Sequence, residues 1–239
     1  MICLKKTLLI ALSLTIVTLG SVNAQDKEKP FSFGVKAGLN VSTISMTNDM
    51  SDDVDYDYFD YVAGFHAGII LQYMFTRNMG LESGLYYSQQ GGKKEIDERI
   101  AGIRAKASYS MRPAYLQMPV LFIYKFHFSD DFSLFPSAGL YAGYGIAGKT
   151  KYEGDITGDF FDSNSESNFF QEGLNQRFDM GMSFGVNLQY KKFIAGISYD
   201  QGLVNIFEDE VYVMDYFNHI RGKSTLLNTC FKFSVGYLF

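Results

Sequence analysis

A dense group of carboxylates is the first feature of this sequence that could do chemistry. Its members fall between residues 49 and 60, and they are Asp49, Asp52, Asp53, Asp55, Asp57 and Asp60. Carboxylate oxygens are ligands that Ca²⁺ prefers. The EF-hand spacing, with its central Gly and terminal Glu, is missing. We therefore predict no metal site and favour a solvated acidic loop, although the interleaved Tyr56, Tyr58 and Phe59 would also suit a carbohydrate-binding loop.

Nucleophilic catalysis requires a hydroxyl or thiol beside a general base. The chain has three histidines, His66, His127 and His219, and neither a Gly-x-Ser-x-Gly motif nor a His-x-Ser pairing. The residues therefore predict no enzyme, no catalytic residues and no cofactor, and His66 is expected to form hydrogen bonds inside the fold. Cys230 is the last of two cysteines, so an intramolecular disulfide would need Cys3.

The first residues predict that Cys3 is removed. Lys5 and Lys6 precede an apolar run from Leu8 to Leu19, and small residues end at Ala24. This pattern is typical of a signal peptide over residues 1–24, since a spanning helix needs about 20 apolar residues. Without Lys5 and Lys6 the 21 basic residues become 19 against 26 acidic ones, a formal charge of −7. That balance argues against a nucleic-acid partner.

Residues 25–239 show a period of two in eight segments. In each segment an apolar, aromatic-rich set alternates with Gly, polar or charged residues, so the two sets lie on opposite faces of a strand. The segments cover residues 31–41, 61–75, 79–87, 116–126, 132–144, 178–190, 193–200 and 230–239. They have eight to fifteen residues, closer to the length of a tilted transmembrane strand than to that of an ordinary soluble one.

The side chains decide which face points outward. Eight strands enclose little more than their own inward side chains, and this many Phe, Tyr and Leu would overfill the interior. We therefore predict an all-β, eight-stranded antiparallel up-and-down transmembrane β-barrel with aromatics facing lipid. Its lumen would hold Gly, polar residues and the charges Lys36, Glu82, Lys125, Asp179 and Lys232, where opposite charges can pair.

The connections support this barrel. Segments are joined alternately by short turns, at 76–78, around Asp130 and at 191–192, and by long loops at 44–60, 88–114, 147–174 and 204–224. Outer-membrane barrels have short periplasmic turns and longer extracellular loops. The loop at 147–174 contains Phe160, Phe161, Phe169 and Phe170, which could fold over the barrel mouth, extend the strands or contact a partner. The basic loop at 88–114 could pair with the acidic loops or with lipopolysaccharide phosphates.

Four stretches resemble the PorT-like outer-membrane β-barrel family. They are Phe31-Ser-Phe-Gly-Val-Lys-Ala-Gly-Leu-Asn-Val-Ser, Tyr115-Leu-Gln-Met-Pro-Val-Leu, Arg177-Phe-Asp-Met-Gly-Met-Ser-Phe-Gly, and Tyr199 to Leu203 followed by Asn205. The terminal Phe239 resembles the aromatic signal read by the barrel-assembly machinery. The resemblance implies a bacterial outer-membrane location. One branch of the family is tied to type IX protein secretion, and no motif here separates that branch from the others.

The predicted function is that of an integral outer-membrane barrel with a structural or interaction role through its extracellular loops and without a wide pore. A narrow transport channel or a secretion component is the alternative, and a lipid-modifying enzyme is less favoured. Expected partners are outer-membrane lipid and lipopolysaccharide, the barrel-assembly machinery through Phe239, and a protein or glycan at the acidic, aromatic loops.

Overall fold

The computed structural model describes residues 30–49, 55–100, 103–156, 161–170, 176–206 and 223–239. The signal peptide predicted for residues 1–24, and His219, lie outside these ranges. Within them the chain forms twelve β-strands. In chain order they are β1 (Phe31–Asp49), β2 (Asp55–Tyr58), β3 (Val62–Met74), β4 (Met79–Gln89), β5 (Gly92–Ile100), β6 (Ile103–Tyr124), β7 (Phe126–His127), β8 (Phe132–Ile156), β9 (Phe161–Asn168), β10 (Phe178–Tyr190), β11 (Phe193–Gly202) and β12 (Lys223–Leu238). No helix in the described part of the chain is long and apolar enough to cross a membrane.

Eight of the described strands close into one antiparallel ring. The order around it is β1–β3–β4–β6–β8–β10–β11–β12, and β12 returns to pair with β1 from Gly34↔Leu238 to Asp49↔Lys223. Each of the eight corresponds to one predicted segment. The predicted eight-stranded barrel is therefore confirmed, and closure leaves no unpaired sheet edge within the ring.

The alternation places the two sets of side chains as predicted. The apolar sets lie on the outside, where Phe33, Leu39 and Val235 are each more than 60 % exposed. The inward positions of β12 show what fills the interior. In chain order they are Leu226, Asn228, Cys230, Lys232, Ser234, Gly236 and Leu238. This order already indicates three layers in the lumen, which are apolar, polar and apolar.

The ends of the barrel differ in the way the sequence predicts. Short connections at 75–78, 125–131 and 191–192 define one end, here called the turn end. In the last of these Lys191 adopts a φ of 53°, the left-handed conformation that a two-residue hairpin turn requires. The opposite end, called the loop end, carries the long connections.

Much of the predicted loop sequence is strand. β6 has 22 residues and β8 has 25, whereas about 9–11 suffice to cross a membrane. The excess continues past the ring as a sheet of β5, β6, β8 and β9. The predicted loop boundaries at 88–114 and 147–174 were therefore wrong. They ended each strand where the apolar alternation stops, but a water-exposed strand needs no apolar outer face.

Candidate functional site in the barrel lumen

Two buried ion pairs form the centre of the lumen. Lys36 Nζ lies 2.5 Å from Glu82 Oε1, and Lys232 Nζ lies 2.5 Å from Asp200 Oδ2. The predicted inward position of Lys36, Glu82, Lys125 and Lys232 is confirmed, as is the pairing of opposite charges. The four residues lie in β1, β4, β11 and β12. Their side chains meet because each occupies an inward position of its strand at a similar level of the barrel.

Amides and hydroxyls complete the coordination of these charges. Glu82 Oε2 accepts a hydrogen bond from Gln72, and Asp200 Oδ1 accepts one from Ser183 at 2.6 Å. Gln117 bridges the second pair, since it donates to Asp200 and accepts from Lys232. Such partners are what allows buried charges to remain charged at low cost. The first group of contacts connects β1, β3 and β4, and the second connects β6, β10, β11 and β12.

Lys125 is bound beside the turn end. Its ammonium donates to Gln72 Oε1 at 2.9 Å and to Gln189 Oε1 at 2.8 Å, and it lies 5.3 Å from the centre of the Phe135 ring. Gln189 belongs to β10, on the far side of the ring from β3. Lys125 therefore ties the two halves of the barrel together.

A Ser–His–Asn arrangement lies next to these pairs, and no motif in the sequence indicates it. His66 Nδ1 is 2.7 Å from Asn40 Oδ1, and His66 Nε2 is 3.0 Å from Ser234 Oγ. The Asn40 amide nitrogen donates to the carbonyls of Phe65 and Gln89, so its oxygen must face the histidine. Nδ1 is then the protonated nitrogen, and Nε2 accepts from the serine hydroxyl.

Gly38 makes this arrangement possible. In register Gly38 lies between His66 of β3 and Ser234 of β12. A Cβ on Gly38 would come within 2.7 Å of the His66 ring, so only glycine lets the two side chains meet across β1. The residues are 168 positions apart in the chain, which is why no local His-x-Ser motif marks the pair. The prediction that His66 forms hydrogen bonds in the lumen is confirmed.

The chemistry available to this group is limited by enclosure. A serine hydroxyl, a neutral imidazole and an orienting amide form the arrangement of a nucleophile with its general base. The adjoining cavity has a volume of about 50 Å³ and is lined by His66, Ser234, Tyr86, Asp200 and Lys232 among others. This space suits a few water molecules. An acyl chain or a peptide does not fit.

An apolar layer closes the lumen at the turn end. It consists of the inward side chains Ile70, Tyr86, Ile123, Phe135, Ile194 and Leu238, with Met74 packed against them. Phe135 and Ile123 are fully buried. The alternation predicts Gly, polar and charged residues throughout the lumen, and this layer departs from that expectation. The inward side chains fill the narrow ring at this level and leave no room for water. Apolar residues are favoured at these positions because they need no hydration.

A second apolar layer, the mouth plug, closes the loop end. Its buried members are Ile44, Met111, Tyr115, Phe169, Phe170, Ile206 and Leu226. Of the three roles considered for the loop phenylalanines, Phe169 and Phe170 fold over the mouth, with 1 % and 3 % of their surfaces exposed. Phe161 lies in β9, which pairs with the part of β8 that extends beyond the ring. Phe160 is outside the described residues.

Phe170 is held by contacts on three sides. Its ring packs onto Gly145, where a Cβ would approach the ring to 2.1 Å, and meets Tyr115 edge to face at 5.8 Å. Arg177 lies 5.2 Å from the ring centre and donates to the carbonyls of Phe170 and Gly145. The plug is therefore a specific packed structure.

The native thiol provides a test of the plug. Cys230 is inward-facing and fully buried between the mouth plug and the ion pairs. Truncating Phe170 to Ala removes about 3–5 kcal/mol of packing, so we expect Cys230 in protein lacking residues 1–24 to react with a small charged thiol reagent at least about tenfold faster. Phe178→Ala, which truncates an outward phenylalanine at the same end, should leave the rate unchanged. Equal rates in all three proteins would contradict the plug.

His66 allows a second prediction. Changing His66 to Leu leaves the buried Asn40 oxygen without its donor, so we expect a loss of about 1–3 kcal/mol in the free energy of unfolding. His127 is the matched control. It is exposed at the turn end, where its ring nitrogens contact Arg77 O at 3.0 Å and Ser133 Oγ at 2.8 Å. Because water can replace these partners at the surface, His127→Leu should stay within about 0.5 kcal/mol. Urea titration of the barrel refolded into lipid vesicles measures both. Equal losses would contradict the buried role of His66.

The acidic group at 49–60 is only partly described. Asp52 and Asp53 lie outside the described residues, and Asp49, Asp55 and Asp57 fall in β1 and β2, where no side-chain position is described. Asp60 forms a backbone bridge with Lys93. Across the residues that the structure describes, no group of three or more His, Cys, Asp or Glu side chains is arranged to hold a metal ion.

The barrel sequence matches a known family over most of its length. Residues 23–208 match the model of the family described as outer membrane protein beta-barrel domain. The chain belongs to this family. As an outer membrane protein beta-barrel domain it lies in the bacterial outer membrane, with the turn end periplasmic and the loop end extracellular. No curated protein matches the sequence.

Several solved outer-membrane proteins are distantly similar to this outer membrane protein beta-barrel domain. OprG from Pseudomonas aeruginosa is 12 % identical, with a TM-score of 0.42, covering 89 % of this chain and 97 % of that one. The Escherichia coli protease OmpT is 9 % identical, with a TM-score of 0.41, covering 91 % and 100 %. Ail from Yersinia pestis, solved with a heparin analogue, is 12 % identical, with a TM-score of 0.30, covering 86 % and 99 %.

Proposed function

We propose that this protein is a surface-interaction barrel rather than a pore. The observation that carries the proposal is the contrast between its two regions. The lumen is closed by packed apolar layers at both ends, whereas β6 and β8 continue as an ordered sheet well beyond the membrane. A protein whose task were conduction would not need this extension and would need an open lumen.

Lipopolysaccharide is the partner best supported by the described residues. At the Ala114/Tyr115 register shift Ile146 is the extra residue of β8, so Lys149 lies directly opposite Arg112. Arg112 is on the same outward face as the lipid-facing Leu116, about 13 Å further along β6. Like charges in directly opposite positions repel each other, and an anion between them relieves the repulsion. We infer that lipid A phosphates, which lie just outside the apolar band, reach this pair of cations.

Lys151 extends this basic outer surface, defined here as Arg112, Lys149 and Lys151. Glu166 partly balances it, with its carboxylate 2.5 Å from Lys149 Nζ and 3.9 Å from Lys151 Nζ. The Lys149 hydrogen bond and charge hold the pKa of Glu166 below its usual value, so the acid stays ionised at neutral pH. With Glu153, the next residue on this face of β8 after Lys151, two carboxylates against three cations leave a net positive surface for phosphate.

The basic outer surface yields a direct prediction. Replacing Arg112, Lys149 and Lys151 together by Ser should weaken binding to lipopolysaccharide micelles by at least about tenfold, since each cation bound to a phosphate contributes on the order of 1 kcal/mol. Lys191 and Lys192 at the periplasmic turn are the control, and replacing both by Ser should have no effect. Titration calorimetry with intact and with dephosphorylated lipopolysaccharide measures the difference. Equal binding by both variants would contradict the proposal.

A protein or glycan partner at the extracellular sheet is the other part of the proposal. The test replaces residues 150–167 by Asn-Gly, which suits a two-residue hairpin turn between the paired positions Lys149 and Asn168. This variant retains Phe169 and Phe170. Cross-linking in intact cells followed by purification in mild detergent should recover partners with the wild type that the variant loses. Identical partner sets would overturn the interaction role, and clear single-channel conductance of the wild type in planar bilayers would favour the transport alternative.

Acyl hydrolysis is a second candidate, favoured by the Ser234–His66–Asn40 geometry alone. A fluorophosphonate probe should not label Ser234 in the wild type, because the closed lumen excludes it. Labelling of the wild type that disappears in His66→Ala, together with altered lipid A mass spectra, would instead establish an enzyme. We propose that the protein is not an enzyme.

Membership of the PorT-like branch, and recognition of Phe239 by the barrel-assembly machinery, are further proposals. Phe239 is supported by its position, since its ring is exposed on the outer face and its N–H donates to Phe33 O. Deleting Phe239 should slow barrel assembly in cells while refolding into vesicles continues. Normal secretion of type IX cargo in a deletion strain would exclude a role in that pathway.

A further inference from the structure

The loop-end half of the lumen has more hydrogen-bond acceptors than donors. Four buried side-chain oxygens in the described residues have no partner: Ser42 Oγ, Gln90 Oε1, Asp179 Oδ1 and Asn228 Oδ1. All four lie above the ion pairs and on the extracellular side of the barrel. Three of them belong to carboxylate or amide groups and can only accept. A buried acceptor without a partner is costly, so a hydrogen-bond donor or a cation is needed at this level.

Asp179 and Asn228 are the centre of this surplus. Asn228 Nδ2 donates to Asp179 Oδ2 at 3.1 Å and to the Tyr115 hydroxyl at 3.2 Å, and the Tyr141 hydroxyl lies 3.4 Å from Asp179 Oδ2. Asp179 is 4 % exposed and Asn228 is 1 % exposed. Turning the Asn228 amide over would set its oxygen against the carboxylate, so the nitrogen is correctly placed.

The charge of Asp179 is not balanced by an ion pair within the described residues. Lys36 and Lys232 are bound to Glu82 and Asp200, and Lys125 binds Gln72 and Gln189 beside the periplasmic turns. An ionised carboxylate buried without a cation is strongly unfavourable. The carboxylate, the amide oxygen and the two phenol oxygens are all hard ligands, which select alkali or alkaline-earth cations rather than transition metals.

We propose that Asp179, Asn228, Tyr115 and Tyr141 form a binding site for one monovalent hard cation of the Na⁺ type. A single carboxylate is neutralised by one positive charge, whereas a divalent ion would leave a buried excess. The cation supplies the charge that Asp179 Oδ1 and Asn228 Oδ1 lack. Because Tyr115 both contacts Asn228 and packs against Phe170, the bound cation also stabilises the mouth plug.

The experiment measures the folding equilibrium of the refolded barrel as Na⁺ replaces choline at constant ionic strength and constant pH. Binding of one cation to the folded state raises the folding equilibrium constant about tenfold for each tenfold rise in Na⁺ above the dissociation constant. Choline is too large to enter the site. Asp179→Asn, which removes the charge but keeps the shape, should show no Na⁺ dependence, and Asp130→Asn, at an exposed carboxylate of a periplasmic turn, should behave as the wild type.

Two results would overturn the proposal. A wild-type equilibrium that does not depend on Na⁺ or K⁺ would mean that water or a proton on Asp179 satisfies these oxygens. A Na⁺ dependence that persists in Asp179→Asn would place the cation elsewhere. Where Asp179→Asn does not fold, Asn228→Ala serves instead and should lower the Na⁺ affinity at least tenfold. None of these outcomes depends on the surface-interaction function.

Discussion

Replacing Lys232 by Met is expected to destabilise the folded barrel by about 3–5 kcal/mol. Lys232 is only 11 % exposed, and its ammonium contacts Asp200 and Gln117. Methionine preserves most of the side-chain volume but leaves the Asp200 carboxylate, itself 3 % exposed, without its cation. Ser183 and Gln117 still donate to it, but neutral donors do not replace a full charge. Urea titration in lipid vesicles, followed by circular dichroism and by gel mobility without heating, measures the loss.

A matched exposed pair isolates the effect of burial. Lys149 and Glu166 lie at the same 2.5 Å separation, but their side chains are 70 % and 46 % exposed. Lys149→Met should therefore cost less than about 1 kcal/mol. The double variant Lys232→Met/Asp200→Asn should recover more than half of the loss, because it leaves no unpaired charge. If the double variant were as unstable as Lys232→Met alone, the loss would reflect packing rather than charge.

The inward direction of Lys232, Asp200, His66 and Ser234 could be predicted from the sequence, because the period of two assigns each residue to a face. Their partners could not. His66 meets Ser234 only because β1 lies between β3 and β12 and carries Gly38 at that level. Such a contact depends on ring closure and on the register of three strands. Neither is encoded in the alternation of any one segment.

The apolar layers could not be predicted for a related reason. Ile70, Ile123, Phe135 and Ile194 occupy inward positions, yet within their own segments they look like interruptions of the pattern. They form a layer only when the four strands are aligned at the turn end. The mouth plug depends on Phe169 and Phe170, whose loop returns to Gly145 and Gly148 of β8. The sequence signal that could predict this return is an inward-facing glycine near the end of a strand, which leaves space for an aromatic side chain of the following loop.

The outer face supports a second large expected effect, from Phe184→Arg at the middle of β10. Phe184 is 49 % exposed and lies between Tyr199 of β11 and Ala138 of β8, on the aromatic surface that faces lipid. An arginine at the bilayer midplane of such a barrel costs about 2–4 kcal/mol, and the cost falls to about 0–1 near the interface. Phe178→Arg, on the same face at the extracellular end of β10, should therefore cost much less.

The difference between the two variants separates lipid contact from packing. Both variants replace an outward phenylalanine by arginine, so loss of the ring lowers the free energy of unfolding by a similar amount in each. The difference between the two losses therefore reports the depth of the position in the bilayer. Refolding both variants into vesicles of shorter lipids should reduce the cost at Phe184, because the charge then reaches water more easily. If the two substitutions cost the same in every lipid, this surface would be packed against protein rather than lipid. The native Arg112, beyond Leu116 on the same outward face, marks where the apolar band must already have ended.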